Sequence, residues 1–388
     1  MKFGIYVHIP YCLQQCPYCD FATVKSDHPV TREEYINIVL QEIRTRNHAI
    51  PYKKISTIYF GRGTPSLAGP TNIAAVIQEL RKYFDLSEIE EVTLEINPGT
   101  ISPEEFLNYL DIGITRFSVG AQTFNNKLLK LIGREHSSED THKTLQLLKS
   151  KNVLYTLDLL FALPHQTLDE LTADLDEIAK YQPQHVSAYC LTVPDKNPLA
   201  RNRPDEETQV KMFYLVEDRL KTFGLTRYEV SNYSAPGMES RHNSLYWEDQ
   251  PYWGLGMSAH SYFLTGTYGT RFWNPPSISA YHKQIQTCVI GEHLPEALPK
   301  AQAETLTLPQ SLTDFCHTKL RTMRGLYIKE LSHKFGDQAV RFVLKPLQRL
   351  QSKGLIETNG DIWRISNNAL VLSEQVFQEM TFLPSDLL

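Results

Sequence analysis

The hydrophobic and polar positions of the first 223 residues follow two alternating periods. Short apolar runs such as "GIYVHIP" (4–10) and "LYTLDLLFALP" (154–164) predict buried strands, and each run precedes a longer amphipathic stretch that predicts a helix. Six strand–helix units are predicted in this way, with strands at 4–10, 56–61, 91–98, 114–122, 154–164 and 185–193, and helices at 31–48, 71–84, 103–111, 125–132 with 139–150, 168–180 and 206–223. Such alternation predicts an α/β fold whose parallel sheet closes fully or partly into a (β/α)6 barrel, with its chemistry at the carboxyl ends of the strands.

The pattern changes after residue 235. Residues 242–275 are rich in Tyr, Trp, Gly and Ser and show few helical signals, whereas the chain is again helical from about residue 301. The segment "GLIETNGDIWRIS" (354–366) predicts a hairpin that turns at Asn359 and Gly360. The predicted organisation is a barrel (1–235), an aromatic-rich connecting region (236–300) and a small α+β winged-helix-like domain (301–388).

Composition and charge narrow the function classes. The chain of 388 residues has 21% charged residues and a net charge of −5, which gives no electrostatic case for a nucleic-acid partner. No run of 18 apolar residues predicts a transmembrane helix, and the segment before the first cysteine has too few apolar residues for a signal peptide. We therefore expect a cytoplasmic protein, in which clustered cysteines are more often metal ligands than disulfides.

Three cysteines lie close together in "HIPYCLQQCPYCDF" (8–21). Cys12, Cys16 and Cys19 have the spacing C-x3-C-x2-C, and three thiolates fit a [4Fe–4S] cluster with one iron that lacks a protein ligand. The alternatives are accidental clustering and a structural zinc site, which needs a fourth ligand such as His8 or Asp20. The remaining cysteines are isolated and are expected to be small apolar side chains: Cys190, Cys288 and Cys316.

The cysteine motif after the first strand of a six-unit array resembles the radical S-adenosylmethionine (SAM) superfamily. "FGRGTPS" (60–66) is similar to the Gly-Gly-Thr-Pro loop that meets the amino group of SAM, and "EINP" (95–98) is similar to the segment whose Glu contacts the ribose. Further segments resemble one branch, the anaerobic coproporphyrinogen oxidase and heme chaperone HemW group: "RFSVGAQ" (116–122), "DLLFALPHQT" (158–167), "RYEVSNYS" (227–234) and "RHNSLYW" (241–247). The resemblance covers nearly the whole chain.

The resemblance implies that SAM binds at the strand ends. The residues that match SAM positions of the family are Tyr6, Gly61, Gly63, Thr64, Glu95, Gln122, Arg134 and Asp158. Glu95 and Asp158 would accept hydrogen bonds from ribose hydroxyls, and Arg134 would meet the SAM carboxylate. Unpaired charges in apolar strands are costly, which favours a functional role for the two carboxylates. Tyr6 is also compatible with a plain core position, and Arg134 with a solvated helix end.

Three positions depart from the family pattern. Arg62 stands where the loop usually has glycine, and a positive φ there would cost an arginine about 1–2 kcal/mol. Ala162 replaces the usual glycine before "LP", and Pro194 stands where relatives often carry Glu. These changes bear on how SAM enters and binds, and they leave the three cysteines intact.

The resemblance implies one of two functions. The first is a heme chaperone that binds heme, passes it to an acceptor protein and uses an electron donor for its cluster. The second is an oxygen-independent coproporphyrinogen III oxidase. Oxidase-type relatives usually carry a cysteine at the position of Phe21, and they have an N-terminal extension of several dozen residues before the cluster. This chain differs from them in both features, which favours a chaperone without oxidase activity. An iron–sulfur scaffold or redox sensor is a third class, disfavoured because so many SAM positions match.

The heme ligand is predicted from "RHNSLYW", which resembles the H-N-x-x-Y segment proposed to hold heme. His242 could give an imidazole to the iron. Four nearby aromatic side chains could pack on the porphyrin: Tyr246, Trp247, Tyr252 and Trp253. One alternative is that His242 is a hydrogen-bonded structural histidine, and His260 and the Tyr246–Trp247 pair are alternative candidates for the ligand.

Overall fold

The computed structural model describes residues 1–288, 294, 298 and 300–387. The strands are β1 (Gly4–His8), β2 (Tyr11–Cys12), β3 (Val24–Lys25), β4 (Thr57–Gly61), β5 (Glu91–Ile96), β6 (Arg116–Gln122), β7 (Leu154–Phe161), β8 (His185–Cys190), β9 (Thr226–Glu229), β10 (Asn232–Ser234), β11 (Tyr252–Leu255), β12 (His260–Phe263), β13 (Thr270–Trp273), β14 (Ala303–Thr305), β15 (Leu326–Tyr327), β16 (Ile356–Asn359) and β17 (Ile362–Ile365). The helices are α1 (Arg32–Arg46), α2 (Pro70–Arg81), α3 (Pro103–Asp111), α4 (Asn126–Leu131), α5 (Ser138–Ser150), α6 (Leu168–Tyr181), α7 (Glu206–Thr222), α8 (Arg241–Trp247), α9 (Ile278–Thr287), α10 (Leu308–Arg321), α11 (Ile328–Ser352) and α12 (Ser373–Glu379). Among these described helices, none has the length and apolar character required to cross a bilayer.

One large sheet carries the architecture. Its strand order is β14-β13-β12-β11-β1-β4-β5-β6-β7-β8-β10-β9. The seven central strands, from β11 to β8, pair in parallel, and the strands at both edges pair antiparallel. The predicted α/β class with six strand–helix units is therefore confirmed. Because the parallel strands share one direction, the loops after their carboxyl ends meet at one side of the sheet.

Local sequence explains why these helices begin where they do. Thr31 accepts a hydrogen bond from the Glu34 amide while the Glu34 side chain accepts one from Thr31, and Ser102 and Glu105 form the same capping box at α3. The helices cover the outer face of the sheet, where Ile5 of β1 is fully buried. Burial of each such aliphatic side chain contributes about 1.5–3 kcal/mol, which holds the helices against the sheet.

The aromatic-rich region is more regular than its sequence predicts. We expected few helices between 242 and 275, but α8 and three strands lie there, and β11 pairs in parallel with β1 inside the main sheet. Trp253 of β11 is completely buried. The strands of the predicted connecting region therefore extend the barrel sheet, and the domain bounds 1–235, 236–300 and 301–388 stay predictions. Part of that region, 289–293, 295–297 and 299, lies outside the described residues.

The C-terminal domain has its own hydrophobic cluster and a small sheet, β15-β17-β16. The predicted hairpin is present, with Gly360 at a φ of 62°, and α11 is interrupted at Gly336, where φ is 79°. These helices and the hairpin confirm the predicted small α+β domain. Phe213 of α7 packs against both hydrophobic clusters, and the Val230 amide donates to the Arg321 carbonyl oxygen at 3.2 Å. The two domains are thus in direct contact.

Candidate functional site

A cavity of about 1190 Å³ collects almost all of the predicted site residues. It begins at the carboxyl ends of the parallel strands, runs down the barrel to Arg116 and His185, and extends sideways to residues 370–377 of the C-terminal domain. The predicted residues on its wall are Cys12, Cys16, Cys19, Tyr6, Gly63, Thr64, Glu95, Gln122, Arg134, Asp158 and His242. Gly61 is buried behind this wall, where an added Cβ would lie 2.6 Å from the Tyr59 ring. Thus a single space brings the separate motifs together.

The three cysteines of the loop are free thiols that face this cavity. The Thr64 hydroxyl lies 3.9 Å from the Cys12 sulfur, and the Cys16 sulfur lies 3.4 Å from the Gly133 carbonyl oxygen. Burial, with smaller contributions from the neighbouring Cys19 and Cys16, raises the pKa of Cys12 to about 11. A bound cation would oppose this pKa shift, because it stabilises the thiolate form.

The ligand set fits an iron–sulfur cluster better than zinc. Among the described residues, no group of three or more His, Cys, Asp or Glu side chains is arranged to hold a metal ion, so the three cysteines share a cavity wall without forming a closed metal site. His8, the proposed fourth zinc ligand, is occupied: its Nε2 donates to the Ala22 carbonyl oxygen at 2.9 Å, and its Nδ1 lies 3.4 Å from the Tyr6 hydroxyl. Three soft sulfur donors on one cavity wall fit a cluster with an open iron, whereas Asp20, the other proposed zinc ligand, lines the same cavity with a hard carboxylate.

Asn97 connects two parts of the site, although the sequence analysis gave it no role. Its side-chain nitrogen donates to the Thr64 hydroxyl at 2.8 Å, and its side-chain oxygen accepts from Arg134 Nη2 at 2.7 Å. The same Nη2 donates to the Gly120 carbonyl oxygen at 2.6 Å, and Nη1 lies 4.0 Å from the Cys16 sulfur. The hydrogen bonds that link Thr64, Asn97 and Arg134 therefore hold the Arg134 guanidinium beside the cysteine loop. Arg134 follows α4 and does not lie at a strand exit as expected.

Two carboxyl groups in the barrel, those of Glu95 and Asp158, interact electrostatically. Glu95 accepts hydrogen bonds from the Tyr59 hydroxyl at 2.7 Å and from the Arg62 amide at 2.8 Å. Burial raises the pKa of Glu95. Burial, and then the nearby Glu95, raises the pKa of Asp158 to about 7. A pair of carboxyls in a low-dielectric cavity is suited to accept hydrogen bonds from polar hydroxyls, as the ribose prediction requires.

Backbone geometry explains the departures from the family pattern. Arg62 has a φ of 72° and Ala162 a φ of 58°, so both replace glycine at positions where glycine is unstrained. The Arg62 guanidinium lies 3.6 Å from the centre of the Phe21 ring, and this cation–π contact offsets part of the cost. Gly63 cannot be replaced in the same way, because an added Cβ would lie 2.3 Å from the Ile9 carbonyl oxygen.

His242 is hydrogen-bonded through both ring nitrogens. Its Nδ1 lies 2.8 Å from the Thr57 hydroxyl and its Nε2 lies 2.9 Å from the Tyr246 hydroxyl. The ring is 1% exposed, and burial lowers its pKa to about 3. This arrangement leaves neither nitrogen free for iron, so it favours the alternative of a structural histidine. A ligand role would require the ring to leave both partners.

The structure separates the other residues of the heme prediction. Tyr246 lines the cavity, whereas Trp253 is fully buried in the sheet and packs near Phe84 with ring centres 6.1 Å apart. His260 is exposed and stacks on Trp273 at 5.6 Å. Trp253 and His260 therefore lie apart from Tyr246, whose ring centre is 6.3 Å from that of Trp247 and 4.6 Å from that of Tyr252.

An ion pair at the base of the barrel explains part of the "RHNSLYW" motif. Arg116 Nε donates to Glu91 at 2.7 Å, and both side chains are nearly fully buried. Glu91 also accepts from the backbone amides of Arg241 and His242, at 3.2 and 3.1 Å. The carboxylate thus fixes the first turn of α8. The signal in the sequence is a charged residue within an apolar strand, which we applied only to Glu95 and Asp158.

Comparison with known proteins decides the family. The chain matches the radical SAM superfamily over residues 6–178 and the HemN C-terminal domain over residues 306–372. A curated relative, heme chaperone HemW of Buchnera aphidicola subsp. Schizaphis graminum (strain Sg), is 36% identical over 260 residues, which are 66% of this chain and 69% of the relative. The chain belongs to the HemW family.

Two further matches cover the whole chain. Heme chaperone HemW of Lactococcus lactis subsp. lactis (strain IL1403) is 29% identical over 393 residues, 98% of this HemW-family chain and 97% of the relative. The structure of coproporphyrinogen III oxidase (HemN) from Escherichia coli, a radical SAM enzyme, superposes with a TM-score of 0.82 at 19% identity and covers 98% of this chain and 90% of that one. The second match confirms the radical SAM fold and says nothing further about function.

Proposed function

We propose that this HemW-family protein is a heme chaperone, which binds heme and transfers it to an acceptor protein. The observation that carries the proposal is the end-to-end similarity to the L. lactis relative named heme chaperone. The large cavity that joins the cysteine loop to the C-terminal domain supports it. The acceptor, the electron donor and the cytoplasmic location stay predictions.

Membership of the radical SAM superfamily implies a [4Fe–4S] cluster and SAM. We assign Cys12, Cys16 and Cys19 as the cluster ligands. When bound, the cluster supplies an iron without a protein ligand, to which the amino and carboxylate groups of SAM can bind. Around it, the residues of this chain bind and orient. Gly63 allows close approach of the backbone, and Arg134 offers Nη1 to a carboxylate.

Three further polar side chains on the cavity wall, Glu95, Asp158 and Gln122, would also contact SAM. Glu95 and Asp158 face the cavity, where their oxygen atoms can accept hydrogen bonds from the ribose hydroxyls. Gln122 lies at a bulge of β6 with a φ of 67°, which directs its side chain into the cavity. Tyr6 lines the same wall. We assign these four residues to SAM.

Phe21 favours the chaperone over the oxidase. It lies two residues after Cys19, is 49% exposed and holds the Arg62 guanidinium against its ring. Oxidase-type relatives usually carry a cysteine at this position. The likeness to HemN is at 19% identity and supports the fold alone.

Titration with heme tests the proposal. Purified protein, reconstituted anaerobically with iron and sulfide, is titrated with ferric heme while the Soret absorption is recorded. We expect saturation at a single equivalent of heme per chain, with an affinity that survives gel filtration. The proposed function would be contradicted if the Soret absorbance rose without saturating and the heme separated from the protein on the gel-filtration column. A sample without iron and sulfide shows whether the cluster is needed for heme binding.

A further inference from the structure

The side extension of the cavity forms a groove between α7 and the C-terminal domain. On α7, Gln209, Val210 and Phe213 line it from one face of the helix, as their spacing of three to four residues requires. Residues 370–377 form the opposite wall, and part of that wall, α12, follows the end of the matched HemN C-terminal domain at residue 372. We call this space the α7–α12 groove.

Large apolar side chains are exposed to solvent inside the α7–α12 groove. Tyr189 is 41% exposed, Val210 is 38% exposed and Leu372 is 40% exposed, and all three line the same cavity. Phe213 and Phe377 complete the lining. Exposed apolar side chains that converge on one concave space, from three separate segments of the chain, are typical of a site for an apolar ligand.

The rest of the cavity carries more polar groups and suits an apolar ring less well. Inside the barrel, the phenol rings of Tyr6 and Tyr59 share the wall with hydroxyl, carboxyl and guanidinium groups from successive strands, including Ser118, Thr156, Asp158 and Arg116. An apolar ring placed there would cover the Asp158 carboxyl without offering it a hydrogen bond, and Arg116 already has protein partners in Glu91 and Thr156. His242, the predicted heme ligand, has both nitrogens engaged. An apolar disc is therefore stabilised in the α7–α12 groove and disfavoured in the barrel.

We propose that the α7–α12 groove binds the flat macrocycle of a porphyrin, with one face against Val210 and the other against Leu372. This inference rests on the proposed function and locates the heme that it requires. The charges set an orientation. Arg321 lines the cavity with its guanidinium held by Glu229 at 2.6 Å, whereas Glu206 and Glu374 also line it as acids. The propionate groups of the porphyrin therefore lie toward Arg321 and away from the two glutamates.

Charge placed on either wall tests the groove. Val210→Glu and Leu372→Glu put a carboxylate against the macrocycle, and because both positions are exposed, the fold should tolerate them. We expect each to weaken heme binding by about tenfold or more, because an apolar ring face cannot hydrogen-bond the buried carboxylate. Leu107→Glu is the matched control: Leu107 is 43% exposed on α3 and lies outside the cavity lining. It should bind heme as the wild type does.

A second measurement does not depend on the variants. Hydrogen–deuterium exchange of the wild-type protein is compared with and without heme, and we expect protection of segments 206–213 and 370–377. If wild-type protein binds no heme, the proposed function is wrong and the groove assignment falls with it. If wild-type protein binds heme, but both glutamate variants bind equally well and neither segment is protected, the groove assignment alone is overturned. If a variant unfolds, as judged by circular dichroism, the protection of the two segments decides.

Discussion

Replacement of Asn97 by leucine should weaken SAM binding by removing the link between Thr64 and Arg134. Leucine is similar in size to asparagine and makes neither hydrogen bond. A neutral hydrogen bond contributes about 0.5–1.5 kcal/mol and one to a charged group about 1.5–3 kcal/mol, so the two together amount to about 2–4.5 kcal/mol. Because Gly120 still accepts from Arg134 at 2.6 Å, we expect a loss near the lower limit.

A loss of about 2 kcal/mol corresponds to a roughly thirtyfold weaker SAM affinity if all of it appears in binding. Calorimetric titration of reconstituted protein with SAM measures this loss. Asn72→Leu is the control, because Asn72 makes a comparable bond to the Ala68 carbonyl oxygen at 2.8 Å, outside the cavity. Asn97→Asp keeps the acceptor for Arg134 and should fall between the two. Equal SAM affinity in Asn97→Leu and wild type would refute the reasoning.

Three further changes test other parts of the site. Alanine at Cys12, Cys16 or Cys19 should each abolish the cluster absorption near about 400 nm; four irons per chain retained in all three variants would contradict the ligand assignment. Asp158→Asn should raise the melting temperature of cofactor-free protein more at pH 8 than at pH 5, because the raised pKa of about 7 means that wild type loses stability as the pH rises from about 4 to 7; a pH-independent difference would contradict the burial of the charge. His242→Ala should lower the melting temperature and leave the heme Soret band unchanged, because both ring nitrogens are engaged; a shifted band would restore its ligand role.

The barrel was predictable because its signals are local. The parallel strands of the first six units are rich in buried apolar residues, and helices such as α1 and α3 begin with capping boxes that are visible in the sequence. The sequence did not predict β11, because four residues that pair in parallel with β1 across more than 240 positions carry no local signature. Short strands of this kind are defined by their tertiary partner.

The site was predictable where charge or sulfur appears in an unexpected setting. Cys12, Glu95 and Asp158 met that test, and all three face the cavity. Asn97 did not meet it, because a neutral amide after a strand is typical of a turn. The α7–α12 groove could not be predicted from the sequence either. Val210 and Leu372 lie 162 positions apart in the sequence and line one cavity only when the two domains pack together.

The most direct test of the chaperone assignment is whether the protein consumes coproporphyrinogen III. Reconstituted protein is incubated anaerobically with SAM, a reductant and coproporphyrinogen III, and the porphyrins are separated by chromatography. Part of the same preparation is titrated with heme, which shows that the sample is competent. The account predicts that heme binds and that no protoporphyrinogen forms. Multiple turnovers of coproporphyrinogen III by this sample would contradict the account and establish the oxidase.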